Sequence, residues 1–295
     1  MSLDTEAGTG AVPERSDSAG EAAGTAEGRP AAGFRAAGAW RRFWVDTWWV
    51  AWRELKHYVG QKVRIVITLI QPLIWLAFMG NMFQRVAMVP GFPAARYLDY
   101  MAPGIVVMVT LFGGIFGGMS IVWDRRFGYL NKLLAAPIVR SSVVTGKMLA
   151  VAVQTAIQAL VVFAVALTMG VGFKAGPAGV PALVILAALL SLVFGGLSLA
   201  LSAVLTTHEA LMAVVNFITM PLMFTSNAMM PLSFMPAWLA AVARVNPLSY
   251  AIDPLRSLFL VGWDWWALAQ GILVLGLAAA AMAALASALF RRSVA

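Results

Sequence analysis

Six stretches of the chain, at 65–83, 101–123, 148–169, 181–205, 211–230 and 266–290, are almost wholly apolar. Each is close to the roughly 20 residues that a helix, rising 1.5 Å per residue, needs to cross the hydrocarbon core of a bilayer. The pattern predicts six transmembrane helices. The fifth is the least regular, because Asn216, Pro221 and Asn227 interrupt it.

Two further segments carry helical patterns that do not read as simple spans. Over 37–62, Trp40, Trp44, Trp48 and Trp52 recur every fourth residue with Arg41, Arg42, Arg53 and Lys56 among them. Indoles and cations on one helix suit the headgroup layer, so an amphipathic helix lying in the interface is expected; packing of the Trp face on another subunit is the alternative. Over 233–262 an apolar run is punctuated by Pro236, Pro247 and Pro254 and carries Arg244, Asp253 and Arg256. Proline is tolerated at a helix start and poorly inside one. Two short helices are therefore expected, over 236–245 and 247–260, meeting at Asn246-Pro247. They either dip into the outer leaflet and return or lie flat on it. Asp253 and Arg256, at i,i+3, can pair and lower the cost of a dip.

Composition sharpens this picture. Hydrophobic residues make up 61% and charged residues 12% of the chain, with mean hydropathy +0.83; a soluble domain carries about 25% charged residues. The chain is read as an all-α integral membrane protein. Only residues 1–36 differ, a tail rich in Gly, Ala, Glu and Ser with no aromatic before Phe34. Such a segment cannot bury enough surface to order itself and is expected to be disordered. Acidic residues at 4, 6, 14 and 17 occupy the place of a signal peptide's apolar region. With no cysteine, disulfides and thiolate metal sites are excluded, and two histidines, His57 and His208, are too sparse for an obvious metal site.

The net charge of +8 is distributed as topology requires. With the N-terminus inside, only Arg85, Arg96, Lys174, Arg244 and Arg256 of the 21 basic residues lie on the far side, leaving 16 cytoplasmic. The positive-inside rule places both termini in the cytoplasm of a multi-pass plasma-membrane protein.

Catalytic motifs are missing from the sequence. A phosphate-cradling loop needs G-x-x-x-x-G-K-[ST]; Gly146-Lys147 has Ser141 in place of the first glycine and Met148 in place of the hydroxyl residue. No HExxH, GxSxG or close acidic pair falls in a span, which argues against a membrane-embedded enzyme. The spans hold essentially no carboxylate, which argues against a proton-coupled secondary transporter. Catalytic, cofactor and metal-ligating residues are accordingly expected to be none. Gly113, Gly114, Gly117 and Gly118 form overlapping small-xxx-small patterns that predict close helix packing, as do Gly195 and Gly196 in the fourth span.

The most informative soluble segment is 123–149, WDRRFGYLNKLLAAPIVRSSVVTGKML. Charges at the membrane edge and Gly128 precede a short amphipathic stretch (Leu130, Leu133, Leu134) that breaks at Pro137. A helix there can either fit a groove on a motor subunit or anchor in the headgroups. Asp124-Arg125-Arg126-Phe127-Gly128-Tyr129-Leu130, the Leu134–Arg140 stretch and Gly146-Lys147 resemble the coupling region of type-2 ABC exporter permeases, in particular the daunorubicin-resistance group. The stretches from Asn227 to Pro231, Met235 to Leu239, Asn246 to Tyr250 and Asp253 to Arg256 resemble the same group's re-entrant hairpin. The resemblance covers residues 40–290; Arg126 departs from it, standing where many relatives carry a glutamate.

The resemblance implies a half-transporter. Two ATPase subunits, carrying ATP and Mg, would pair with this chain and a second permease, identical or related. It would export amphipathic drugs or natural products, and a lipid or lipid-linked glycan is the alternative cargo. Asp124, Arg125, Arg126, Phe127, Gly128, Leu130, Leu133, Leu134, Pro137 and Arg140 would couple to the ATPase. Pro236, Asn246, Pro247, Asp253 and Arg256 would shape the hairpin. Polar groups inside spans are costly and mark a lumen or a helix–helix bond. Gln71, Thr110, Asn216, Thr219 and Asn227, with the adaptable Phe217, Met220, Met223 and Phe224, are the candidate substrate path.

Overall fold

The computed structural model describes residues 32–128, 140–205 and 207–293. It divides into two units, Met1–Gly38 and Ala39–Ala295. Residues 1–31 of the expected disordered tail lie outside the described residues, and its last five, 32–36, are instead helical, as the start of α1; everything below concerns the second unit.

Among the described residues the structure is helical throughout, in ten α-helices and three short 3₁₀ turns. In chain order they are α1 (Ala32–Gly60), α2 (Lys62–Met82), α3 (Tyr97–Gly118), α4 (Ser120–Arg126), α5 (Arg140–Thr168), α6 (Val180–Val204), α7 (His208–Phe224), α8 (Ala237–Val245), α9 (Pro247–Leu260) and α10 (Trp265–Ser293). Among the described residues five regions are long and apolar enough to span a bilayer: Ile65–Met82, Tyr97–Asp124, Ser141–Thr168, Pro177–Val204 and Trp265–Arg292. The sixth, α7, has 17 residues, at the short end of the spanning range.

The boundaries that sequence misplaced have local causes. The fifth apolar stretch was expected to continue to 230, but α7 stops at Phe224. There the Thr225 hydroxyl donates to Pro221 O (2.7 Å) and the Ser226 hydroxyl to Met223 O (2.8 Å), so side chains take over the last carbonyls. The third span was expected from 148, yet α5 begins eight residues earlier, at Arg140; Lys147, within the added turns, is accommodated by pairing with Glu54 and Asp124. The second apolar stretch is broken at Met119 into α3 and α4. Other ends are capped as their residues dictate: Asp264 Oδ1 accepts from Trp266 and Ala267 N–H to start α10, and Thr207 Oγ1 accepts from Ala210 N–H to start α7.

Helix α6 is the centre of the bundle, packed on α3, α5 and α10. Glycine makes this possible, and the glycine run of α3 divides between two partners. A Cβ on Gly114 or Gly118 would lie 2.9 or 2.6 Å from the α6 backbone oxygens of Ser191 and Gly195. A Cβ on Gly113 or Gly117 would instead strike the Thr155–Gln158 or Val151 side chains of α5. Gly196 admits Met282 of α10 in the same way. Backbones brought this close gain dispersion contacts and interhelical bonds, such as Ser198 Oγ to Ile115 O at 2.8 Å. Outside this core, α2, α7 and α10 present apolar faces outward, among them Ile67, Phe78, Phe217, Trp266 and Leu277. That is the surface a lipid solvent requires.

Candidate functional site

Two polar knots tie the bundle, one at each end. The first involves α1. The stripe that α1 buries is Thr47, Val50, Ala51 and Glu54, at i, i+3, i+4 and i+7, while Trp40, Trp44, Trp48, Trp49 and Trp52 all point outward and stay at least half exposed. The stripe docks on α5 at Gly146, where a Cβ would lie 2.7 Å from Val50 Cβ and 2.8 Å from Thr47 O. Thr47 and Thr145 hydroxyls meet at 3.2 Å. Next to them the Lys147 side chain is fully buried. Its ammonium donates to Glu54 Oε1 (2.7 Å) and Ser120 Oγ (3.0 Å) and lies 2.5 Å from Asp124 Oδ2. Arg53 reaches the same carboxylates from the open side, 2.5 Å from Glu54 and 3.5 Å from Asp124. Burial pushes the Glu54 carboxyl up, but Lys147 and Arg53 beside it more than offset this, and its pKa is lowered below 4.5.

This knot joins three elements: α1, the α4 end that leads into residues 129–139, and the α5 start that leaves them. Asp124, expected to meet the ATPase, is committed to Lys147 and Arg53. Phe127 is exposed and stacked on Trp123, and Gly128 takes a left-handed φ of 67° that ends α4. Arg125 and Arg126 are in α4 and Arg140 opens α5. Leu130, Leu133, Leu134 and Pro137 lie outside the described residues. Sequence reading missed Glu54 and the use of Gly146-Lys147. The signal available was a lone glutamate on the buried face of a Trp- and Arg-rich helix.

The second knot gathers the residues after α7. Arg256 lies with its guanidinium 3.9 Å from the Tyr100 ring centre and donates to Asn227 O at 2.7 Å. Tyr100 and Tyr97 hydroxyls donate to Asn227 O (3.2 Å) and Met229 O (3.0 Å). The Asn227 amide donates to Asp253. The expected Asp253–Arg256 pair is long, at 3.9 Å; the arginine is held chiefly by the aromatic ring and carbonyls. Asn246 holds both sides of the turn, accepting from Leu248 N–H to start α9 and donating to Leu222 O at the end of α7 (2.7 Å). Pro236 precedes α8 and Pro247 opens α9. Helix α9 is buried against α3, α6 and α10, whereas α8 buries only Ala243.

The candidate path residues do not share one environment. Thr110 and Thr219 are buried and donate back to Val106 O and Val215 O in their own helices. Asn227 is buried in the second knot. Gln71 on α2, and Asn216, Phe217, Met220 and Phe224 on α7, are exposed, with Met223 between the two classes.

Residues 45–260 match the family model described as ABC-2 type transporter. The chain belongs to the ABC-2 type transporter family. It is 34% identical to the transport permease ycf38 of Porphyra purpurea over 201 residues, 67% of each chain. It is 24% identical to the daunorubicin resistance ABC transporter permease protein DrrB1 of Streptomyces coeruleorubidus, over 74% of this chain and 75% of that one. To the multidrug ABC transporter permease YbhR of Escherichia coli it is 26% identical, over 57% of this chain and 45% of that one. The chain is thus a multi-pass membrane subunit of an ABC transporter. Permeases of this family are not ATPases themselves and imply an ATPase partner. The Gly146-Lys147 dipeptide, which fails as a phosphate loop, serves instead to seat α1.

Proposed function

We propose that this permease subunit is half of an ATP-driven exporter of amphipathic drugs or natural products. It works with two ATPase subunits that carry ATP and Mg, and with a second permease. Both termini are cytoplasmic, α1 lies in the inner headgroup layer with its tryptophans in lipid, and α8–α9 form an outer re-entrant hairpin. The burial of α9 in the bundle supports the hairpin reading, and the basic residues support the orientation. The observation that carries the coupling mechanism is the fully buried Lys147 between Glu54 and Asp124. It ties both ends of the 129–139 segment to α1, so that displacement of the segment by an ATPase moves α1, α4 and α5 together. Drug export is favoured by the resistance permeases among the relatives.

The test is ATP-dependent daunorubicin uptake into inside-out vesicles carrying the permease with its ATPase. Uptake abolished by Leu133→Asp, with ATPase pull-down lost and membrane insertion intact, is expected. No ATP-dependent uptake by the wild-type complex, or normal pull-down and transport in the variant, overturns the reading.

A further inference from the structure

Helix α1 ends at Gly60 and α2 begins at Lys62, so the two meet at a corner of one residue, Gln61. An open groove of about 580 Å³ lies there, lined by Gly60, Gln61, Lys62, Val63, Ile67 and Thr68. Its rim is polar: the side chains of Gln61 and His57 are hydrogen-bonded at 2.7 Å, and Lys62 is exposed. Its wall is apolar, with Val63 and Ile67 exposed, and the same surface of α2 continues through the exposed Val66 and Ile70.

Charge at this corner is of one sign. Lys56, Lys62 and Arg64 fall close together, and no acid follows Glu54 in the sequence until Asp99. Glu54 is itself turned into the first knot and bonded to Lys147 and Arg53. Asp46, the other acid of α1, is half-buried, whereas Arg41, Arg42, Lys56 and Lys62 are all exposed. Folding has separated the charges of this stretch by sign, leaving the cations outermost.

A ligand that suits both rim and wall is an amphiphile. A soluble anion would leave the apolar wall in water. A zwitterionic lipid would bring its own ammonium against the two lysines. Cations grouped just cytoplasmic of a transmembrane helix favour anionic headgroups, by about fivefold for each cation near the surface.

We propose that the α1–α2 corner binds an anionic phospholipid of the inner leaflet, with its phosphate at Lys56 and Lys62 and an acyl chain along Val63, Ile67 and Ile70. The inference rests on the reading of α1 as a helix of the inner headgroup layer, and adds to it which lipid is selected and where.

The experiment uses the permease–ATPase complex in nanodiscs of phosphatidylcholine and phosphatidylglycerol in equal amounts. Because the chain has no cysteine, Val59→Cys, at an exposed position between the two lysines, takes a bimane label before the ATPase is added. One lipid at a time is brominated on its acyl chains, and quenching of the bimane gives the exchange constant between the two lipids at the corner. It is expected to favour phosphatidylglycerol by about fivefold or more. Lys56→Gln with Lys62→Gln removes the preference, and Lys56→Arg with Lys62→Arg keeps it. Arg41→Gln with Arg42→Gln also keeps it, since those positions lie roughly 25 Å from the label along α1, beyond the Debye length of about 10 Å. Soluble glycerol phosphate in excess leaves it unchanged. The proposal is overturned, with α1 still in the headgroup layer, by equal quenching from the two lipids or by a preference that survives the double glutamine change at the lysines. A preference lost with Arg41 and Arg42, or abolished by glycerol phosphate, overturns it in the same way. Quenching by neither lipid overturns the headgroup reading of α1 and the proposal with it.

Discussion

The Lys147 ammonium donates to Glu54 Oε1 at 2.7 Å across 93 positions of sequence, with the lysine side chain wholly sealed from solvent. A buried pair is a weak source of net stability, but removing one partner strands the other, at a cost of about 3–5 kcal/mol. Lys147→Met, which leaves Glu54 and Asp124 only the partly exposed Arg53 between them, is expected to lower the melting temperature of the detergent-solubilised protein far more than Glu54→Gln, which leaves Lys147 its Asp124 partner. Equal, small shifts in a thermal-shift assay would show that the cluster is effectively solvated.

The pH dependence of that contribution follows from its sign. Glu54 is depressed below its usual value of 4.5, so its stabilisation is fully present above 4.5 and is lost as pH falls through the lower folded value. The melting-temperature difference between wild type and Glu54→Gln is expected to be unaffected by this group between about pH 5 and 8 and to shrink only on acidification below 4.5. A difference that vanishes near neutrality contradicts the pairing.

Docking of α1 on α5 is directly testable because the chain has no cysteine of its own. The Thr47 and Thr145 hydroxyls are 3.2 Å apart. The pair Thr47→Cys with Thr145→Cys is expected to oxidise readily to a disulfide, read as protection from a thiol-reactive probe that reduction removes. Persistent labelling of both thiols would place α1 elsewhere.

In the second knot, Arg256→Lys keeps the charge but loses the planar group that lies over Tyr100 while bonding Asn227 O. Lysine does not substitute at a stacked, multiply bonded site. Tyr100→Phe keeps the ring under the guanidinium and loses the hydroxyl with its bond to Asn227 O, a bond worth about 0.5–1.5 kcal/mol. Hydrogen exchange over residues 226–230 is expected to rise strongly in the first variant and slightly in the second. The opposite order would mean that the hydroxyl, not the guanidinium, holds the turn.

Topology gives a fifth check. Reporter fusions after Arg292 and within residues 90–98 are expected to read cytoplasm and exterior respectively, as the distribution of basic residues demands. The reverse pattern would invert every assignment of side made above.

What the sequence determined by itself is whatever depends on local pattern. Apolar runs long enough to cross a bilayer must form helices there, because no water remains to satisfy the backbone. Proline spacing was enough to resolve 236–245 and 247–260, within a residue of α8 and α9. Small-residue spacing announced that Gly113–Gly118 would meet another helix. Which helix it meets was not legible: the division of those glycines between α5 and α6 depends on which backbones arrive, and spacing is the same for either. The tertiary structure alone decided the knots. Asp124, expected from the resemblance to meet the ATPase, is paired with Lys147, and Thr110, legible as a costly polar group in a span, is satisfied by its own helix. Asn227, Tyr100 and Arg256 come together from three separate elements. Partners separated by so much chain leave no periodic trace. Charge pairing acts at a few ångströms, and only packing decides which distant residues come that close.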